Sequence, residues 1–103
     1  MEGDKMPNIK VKNLHGTSKE SHHCKCCNSW LEHWEKHKTK AYECMHCHTN
    51  CKDTPLVGAH VQKITETDKG WYIIPFCQKC NKSDEELIID DCYLVPVDAC
   101  KNN

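Results

Sequence analysis

Ten cysteines and eight histidines stand among 103 residues, and the chemistry that such a density of thiol and imidazole serves best is metal binding. The strongest spacing is Cys44-x-x-Cys47 together with Cys77-x-x-Cys80. Two residues between thiolates let one tight turn aim both sulfurs at a single tetrahedral ion, with backbone amides left to bond the sulfurs. Two such pairs close a structural zinc site. The 29 residues between Cys47 and Cys77 exceed the usual ribbon spacing, and a hairpin within them would return the chain to its start. Cys51, His46 and His48 stand in the same loop, so Cys47 with Cys51, or Cys44 with Cys51, is an alternative first pair.

A second ion is expected upstream. Cys24, Cys26 and Cys27 cluster ahead of a Trp-containing segment, and Cys100 lies far along the chain. Cys24, Cys26 and Cys100 are its expected ligands, because that tie would anchor a segment with little else to bury. His15, His22, His23, His33 and His37 compete for the fourth position. His33 and His37 sit at i, i+4, so one helix face could present both to an ion or simply to solvent.

These groups need elements to hold them. Residues 1–21 are polar and Lys-rich apart from the alternation Ile9-Lys10-Val11-Lys12, and read as a flexible arm able to add one edge strand. Within the single domain expected over 22–103, residues 22–41 form a Cys/His-rich element with one amphipathic helix. Trp30, Leu31 and Trp34 share a face of that helix and read as core, with Asn28 or Ser29 as cap. Leu56 to Val61 and Trp71 to Phe76 read as the two strands of a hairpin turning at Thr67-Asp68-Lys69-Gly70. Gly58 is read as allowing close backbone approach beside the first cysteine pair, or a bulge. Early acids at Asp84, Glu85 and Glu86 predict a short helix starting near Ser83. Tyr93 to Val97 contains Pro96, which cannot donate to a ladder, and so reads as an edge strand.

Composition bounds the rest. At 103 residues and 38% hydrophobic the chain suits one small domain and cannot hold a large enzyme fold. No apolar run reaches the length of a secretory signal or a membrane span, which predicts a cytoplasmic protein without membrane contact. A disulfide scaffold would require export, and a thiol redox role lacks the βαβ surroundings that its Cys-x-x-Cys needs. The 14 basic residues are all Lys, and their distribution leaves residues 1–52 at a formal +3 and residues 53–103 at −4. Lys25, Lys36, Lys38, Lys40 and Lys52 are candidates for a phosphate-contacting patch, and Trp71 and Tyr72 for base stacking. The absence of Arg argues against a strongly phosphate-seeking surface.

The run Cys44-x-x-Cys47, Val57-Gly58-Ala59-His60-Val61 and Tyr72-Ile73-Ile74-Pro75-Phe76-Cys77-x-x-Cys80-Asn81 resembles the core of HNH endonucleases. In that family a ββα-metal hairpin and helix are stapled in many members by a four-cysteine zinc. The resemblance covers residues 42–88. It implies a small α+β domain, a zinc-stabilised treble clef of HNH-like ββα type with an N-terminal Cys-rich helical element, followed by a C-terminal strand and tail over 89–103. It also implies that His60 is the general base activating water and that Asn81 helps bind a catalytic Mg²⁺, Mn²⁺ or Ni²⁺ ion. The catalytic motif is degenerate: the residue before the His is Ala59 where the family has Asp or His, and Tyr72 replaces an Asn.

The expected function is therefore that of an HNH-like zinc-binding protein, acting as a divalent-metal-dependent nuclease on DNA, with zinc structural in one or two ions. A closed tetra-thiolate zinc cannot itself hydrolyse a phosphodiester, so a second, open-sided ion is required. The alternative is a catalytically inactive, zinc-stabilised binding module, an adaptor or inhibitor that engages a protein partner or nucleic acid.

Overall fold

Alternating β-branched and aromatic residues commit Leu56–Lys63 (β2) and Trp71–Cys77 (β3) to a long antiparallel hairpin, paired without interruption from Leu56 opposite Cys77 to Gln62 opposite Trp71. The computed structural model describes residues 8–14, 29–50, 52–64, 67 and 70–97. Asn8–Asn13 (β1) pairs with β2 on one side and with Leu87–Asp90 (β4) on the other, and Val95–Pro96 (β5) pairs with β3. The result is one antiparallel sheet in the order β4-β1-β2-β3-β5.

Strand register sorts the side chains onto two faces. One face carries Ile9, Val11, Asn13, Ala59, Val61, Tyr72, Ile74, Phe76, Leu87 and Ile89; the other carries Gly58, His60, Ile73 and Val95. Three of the five residue steps from Asp90 to Val95 lie in a 3₁₀ turn (Asp91–Tyr93). They cover roughly 13 Å, whereas four strand spacings would set β4 and β5 about 19 Å apart in a flat sheet. The sheet therefore curls, and the first face becomes its interior. Val11, Val61, Ile74 and Phe76 are fully buried there, with Leu94 beneath the 3₁₀ turn. Lys63 spans the rim, its Nζ 3.4 Å from Asp91 Oδ1 and 4.8 Å from the centre of the Tyr72 ring.

The outer face of β2, β3 and β5 is covered by Trp30–His37 (α1). Ser29 starts this helix, its hydroxyl accepting from Glu32 N–H at 3.1 Å. Trp34 is 1% exposed and packs with Ala41, Ile73 and Val95, while its Nε1 donates to Tyr93 O at 2.6 Å. The helix lies so close that a Cβ on Gly58 would meet Leu31 N and Trp30 C at 2.5 Å. Gly58 thus serves a close approach, but to α1 rather than to the cysteine turn, and the ladder passes it without a bulge.

Several expectations are corrected. β1 is an inner strand, because Val11 and Ile9 complete the interior and the strand pairs on both edges. The helix expected from Ser83 is not formed: the helical turn is Gln78–Asn81 (α2), directly after Cys77, and Leu87 to Asp90 is drawn into the sheet by Leu87 and Ile89. The ββα unit is not self-standing, since strands from residues 8–13, 87–90 and 95–96 build the same sheet as its hairpin. The hairpin, the α1 helix and the Pro96 edge strand stand where the sequence predicts them.

Candidate metal centre

The four expected sulfurs converge. Cys44 and Cys47 lie on the turn before β2, Cys77 ends β3 and Cys80 lies in α2, and their Sγ atoms are all within 4.8 Å of one another. The Cys47 and Cys77 sulfurs are 3.7 Å apart. A tetrahedral zinc with Zn–S bonds of about 2.3 Å requires S–S edges of about 3.8 Å, whereas a disulfide needs about 2.05 Å. The donor set and its size both fit a four-thiolate zinc.

The turn is shaped for this. Cys44 N–H donates to Thr49 O at 2.9 Å and His48 N–H to Cys44 O at 2.8 Å, while His48 takes a left-handed backbone, φ 66°, to close the loop. His46 N–H and Cys47 N–H both point at Cys44 Sγ at 3.5 Å. Met45 N–H donates to Pro75 O at 2.9 Å, which ties the turn to β3. On the other side Asn13 Nδ2 donates to the carbonyls of Cys80 and Ser83 at 2.9 and 3.0 Å, fixing α2 against the interior end of the sheet. His46 is not a ligand in this arrangement. Its Nδ1 lies 3.3 Å from Cys80 Sγ, placing the imidazole behind the sulfur as a donor.

The thiols do not share one environment. Burial pushes the Cys44 and Cys80 thiols up, Cys80 further because the neighbouring Cys44 sulfur disfavours a second negative charge. The Thr49 hydroxyl, 3.1 Å from Cys47 Sγ, brings that thiol down to about 6. Cys44, Cys77 and Cys80 are buried, and Cys47 is exposed. A cavity of about 420 Å³ opens on the sulfur cluster, lined by His46, Cys47, Thr49, Thr54, Lys79, Cys77 and Cys80.

The other expected site residues are not brought to this centre. His60 projects from the outer face of the sheet, is 4% exposed, and packs edge-on against the Trp30 ring at 5.0 Å beneath α1. Asn81 follows Cys80 on the turn that closes the interior face. His60 is thus buried on the outer face and stands outside the sulfur cluster, while Asn81 is the last residue of α2. His33 and His37 are likewise apart from the sulfurs. His33 is fully buried, donating from Nε2 to Pro96 O at 3.0 Å, and His37 Nδ1 donates to His33 O at 3.0 Å. Their i, i+4 spacing serves helix packing. Cys92 stands outside the cluster, its thiol pushed up by burial and by Asp90. Cys24, Cys26, Cys100, Cys27, Cys51, His15, His22 and His23 lie outside the described residues.

What sequence reasoning missed is the supporting set: Asn13, Thr49 and His46 as partners of the ligands rather than ligands. Only the proximity of Thr49 and His46 to a cysteine pair signalled them; Asn13 lies 67 residues from Cys80. No family model, curated protein or solved structure matches the chain. No helix among the described residues is long and apolar enough to cross a membrane.

Proposed function

We propose that this chain is a zinc-stapled, non-catalytic binding module in which Cys44, Cys47, Cys77 and Cys80 hold one structural ion. The observation that carries the reading is the convergence of four thiols, three of them buried, at the spacing of a tetrahedral S₄ shell. Four thiolates fill that shell and leave no position for water or a phosphate. Nuclease chemistry would need an open-sided ion and a reachable base, and the burial of His60 under Trp30 argues against it. The treble-clef and HNH resemblance is then one of cysteine plan and hairpin rather than of catalytic centre.

A protein partner suits the surface better than DNA. The exposed Asp84, Glu85 and Glu86 lead into β4, whose Ile88 is 54% exposed, and Asp90 and Asp91 follow it. This end of the sheet carries negative charge beside an apolar side chain, an arrangement that repels a phosphate backbone and tolerates a peptide surface. The test is metal analysis combined with nicking assays. Zinc bound at the four-cysteine cluster, about one ion per chain lost in Cys80→Ser, and no cleavage of plasmid or single-stranded DNA with Mg²⁺, Mn²⁺ or Ni²⁺ is the expected result. Metal-dependent nicking that a folded His60→Ala variant abolishes would overturn the reading and restore the nuclease.

A further inference from the structure

Three of the four sulfurs are protected and one is not. Cys44 is buried and its Sγ faces two backbone N–H donors; Cys80 is buried and its Sγ faces the His46 ring; Cys77 is 4% exposed. Cys47 is exposed and borders the 420 Å³ cavity, and Thr49 Oγ1 lies beside its sulfur. Hydrogen bonds to a thiolate lower its nucleophilicity, and Cys47 has one from Thr49 just as Cys44 has them from two amides, so access is what sets Cys47 apart: burial shields the other three sulfurs from a reagent. The cluster is therefore approached through one cavity, on whose wall Cys47 is exposed while Cys77 and Cys80 are buried. Cys77 Sγ stands directly behind it at 3.7 Å.

From this geometry we infer that the metal centre is a peroxide-responsive switch, with Cys47 as the sulfur attacked and Cys77 as its resolving partner. The inference rests on the zinc reading above. The Cys47 thiolate attacks one oxygen of a hydroperoxide, the O–O bond breaks, and the departing hydroxide takes a proton to leave as water. The sulfenic acid left on Cys47 is attacked by the Cys77 thiolate, an S–S bond forms, and the second oxygen leaves as water with another proton. The two sulfurs lose two electrons and the peroxide gains them. Closing from 3.7 Å to a disulfide length removes two of four ligands from the ion, so its retention fails. The knuckle and α2 then lose their shared anchor, and Met45 and Asn13 lose the register that ties both segments to the sheet.

The experiment uses the full chain as isolated, with its zinc content measured first. Zinc absent at that step would count against the zinc reading, whereas every result after it bears on the switch. Hydrogen peroxide is then added in the presence of a chromophoric zinc chelator, and the product is alkylated and mapped by mass spectrometry. The expected outcome is release of about one ion per chain, with a Cys47–Cys77 linkage that dithiothreitol and zinc reverse. Ion retained while other cysteines oxidise, or ion released with Cys47 still open to alkylation, would overturn it. Thr49→Val keeps all four sulfurs and removes one hydrogen bond to Cys47, so peroxide-driven release should quicken roughly two- to tenfold. An unchanged rate in that variant with unchanged zinc content would show that attack does not begin at Cys47.

Discussion

Replacing Gly58 by Ala is the sharpest test of how α1 is seated. The added methyl would stand 2.5 Å from Leu31 N and Trp30 C, and 2.9 Å from Trp30 Cβ. Ordinary contact begins near 3.4 Å, so the first turn of α1 must lift by about 0.9 Å. Two of the three clashing atoms are backbone, which no rotamer change can move. Lifting the helix that far forfeits a quarter to a half of the dispersion energy of each contact it crosses, and Trp34 against Ile73 and Val95 is the largest of these. Overpacking alone costs about 1–3 kcal/mol, and the loosened Trp34 adds to it, so a loss of about 3 kcal/mol is expected. For a chain of this size that corresponds to a fall of roughly 12–24 °C in Tm, read by circular dichroism or Trp fluorescence on zinc-loaded protein. Zinc content should stay unchanged, because the added methyl meets α1, whereas the four cysteines lie on the turn before β2, at the end of β3 and in α2. A second change, Trp30→Ala, should not rescue the variant, since the main-chain atoms remain. A destabilisation below about 1 kcal/mol would refute the seating of α1 on Gly58 and with it the burial of His60 under Trp30.

Trp34→Phe keeps a ring in the outer core but strips Tyr93 O of its donor, and should cost about 1–3 kcal/mol by chemical denaturation; a change under 0.5 kcal/mol would mean the carbonyl finds water. Zinc uptake should release protons in a pH-dependent number. The raised Cys44 and Cys80 thiols surrender theirs at any pH up to neutral, whereas Cys47, at about 6, is already ionised at pH 7 and yields a proton only below about pH 6. Proton release per ion should therefore grow by about one between pH 7 and pH 5, measured by calorimetry in buffers of different ionisation enthalpy, and a flat count would contradict the low Cys47 value. Chelation of the zinc should collapse the inner core as a unit, because Cys44, Cys77 and Cys80 are part of it; a native near-ultraviolet spectrum in excess chelator would show the ion to be dispensable.

The legible parts of the sequence were those governed by local chemistry. Cys-x-x-Cys spacing, the β-branched runs of the hairpin and the Ser29 cap each act within a few residues, and all stand where expected. Residues 8–13 misled because Ile9 and Val11 carry too short an alternation to reveal two neighbours; pairing with β2 and β4 arises from contacts 48–52 and 76–82 residues away. The acids at 84–86 resembled a helix start, but Leu87 and Ile89 gain more by completing the interior than a single helical turn could offer. His60 was ambiguous for the same reason: nothing near it in sequence announces that the helix of Trp30 lies on top.

A metal held by the four cysteines would do work that apolar volume does elsewhere. The inner core ends at Cys44, Cys77 and Cys80, and the outer core holds Trp34, Ala41, Ile73 and Val95 on the opposite face. Met45 and Leu56 pack against both. Met45 belongs to the turn of Cys44 and Cys47, and its N–H donates to Pro75 O of β3, so an ion held by those cysteines would position the side chain that joins the two cores. A curled sheet of this size with strands as short as β4 and β5 buries little on its own. Tying the turn, the end of β3 and α2 to one point closes the open end of that curl, so zinc loss would propagate from the sulfurs through Met45 to the seating of α1. Under the switch proposed above, that coupling would carry a change at the exposed Cys47 to both cores.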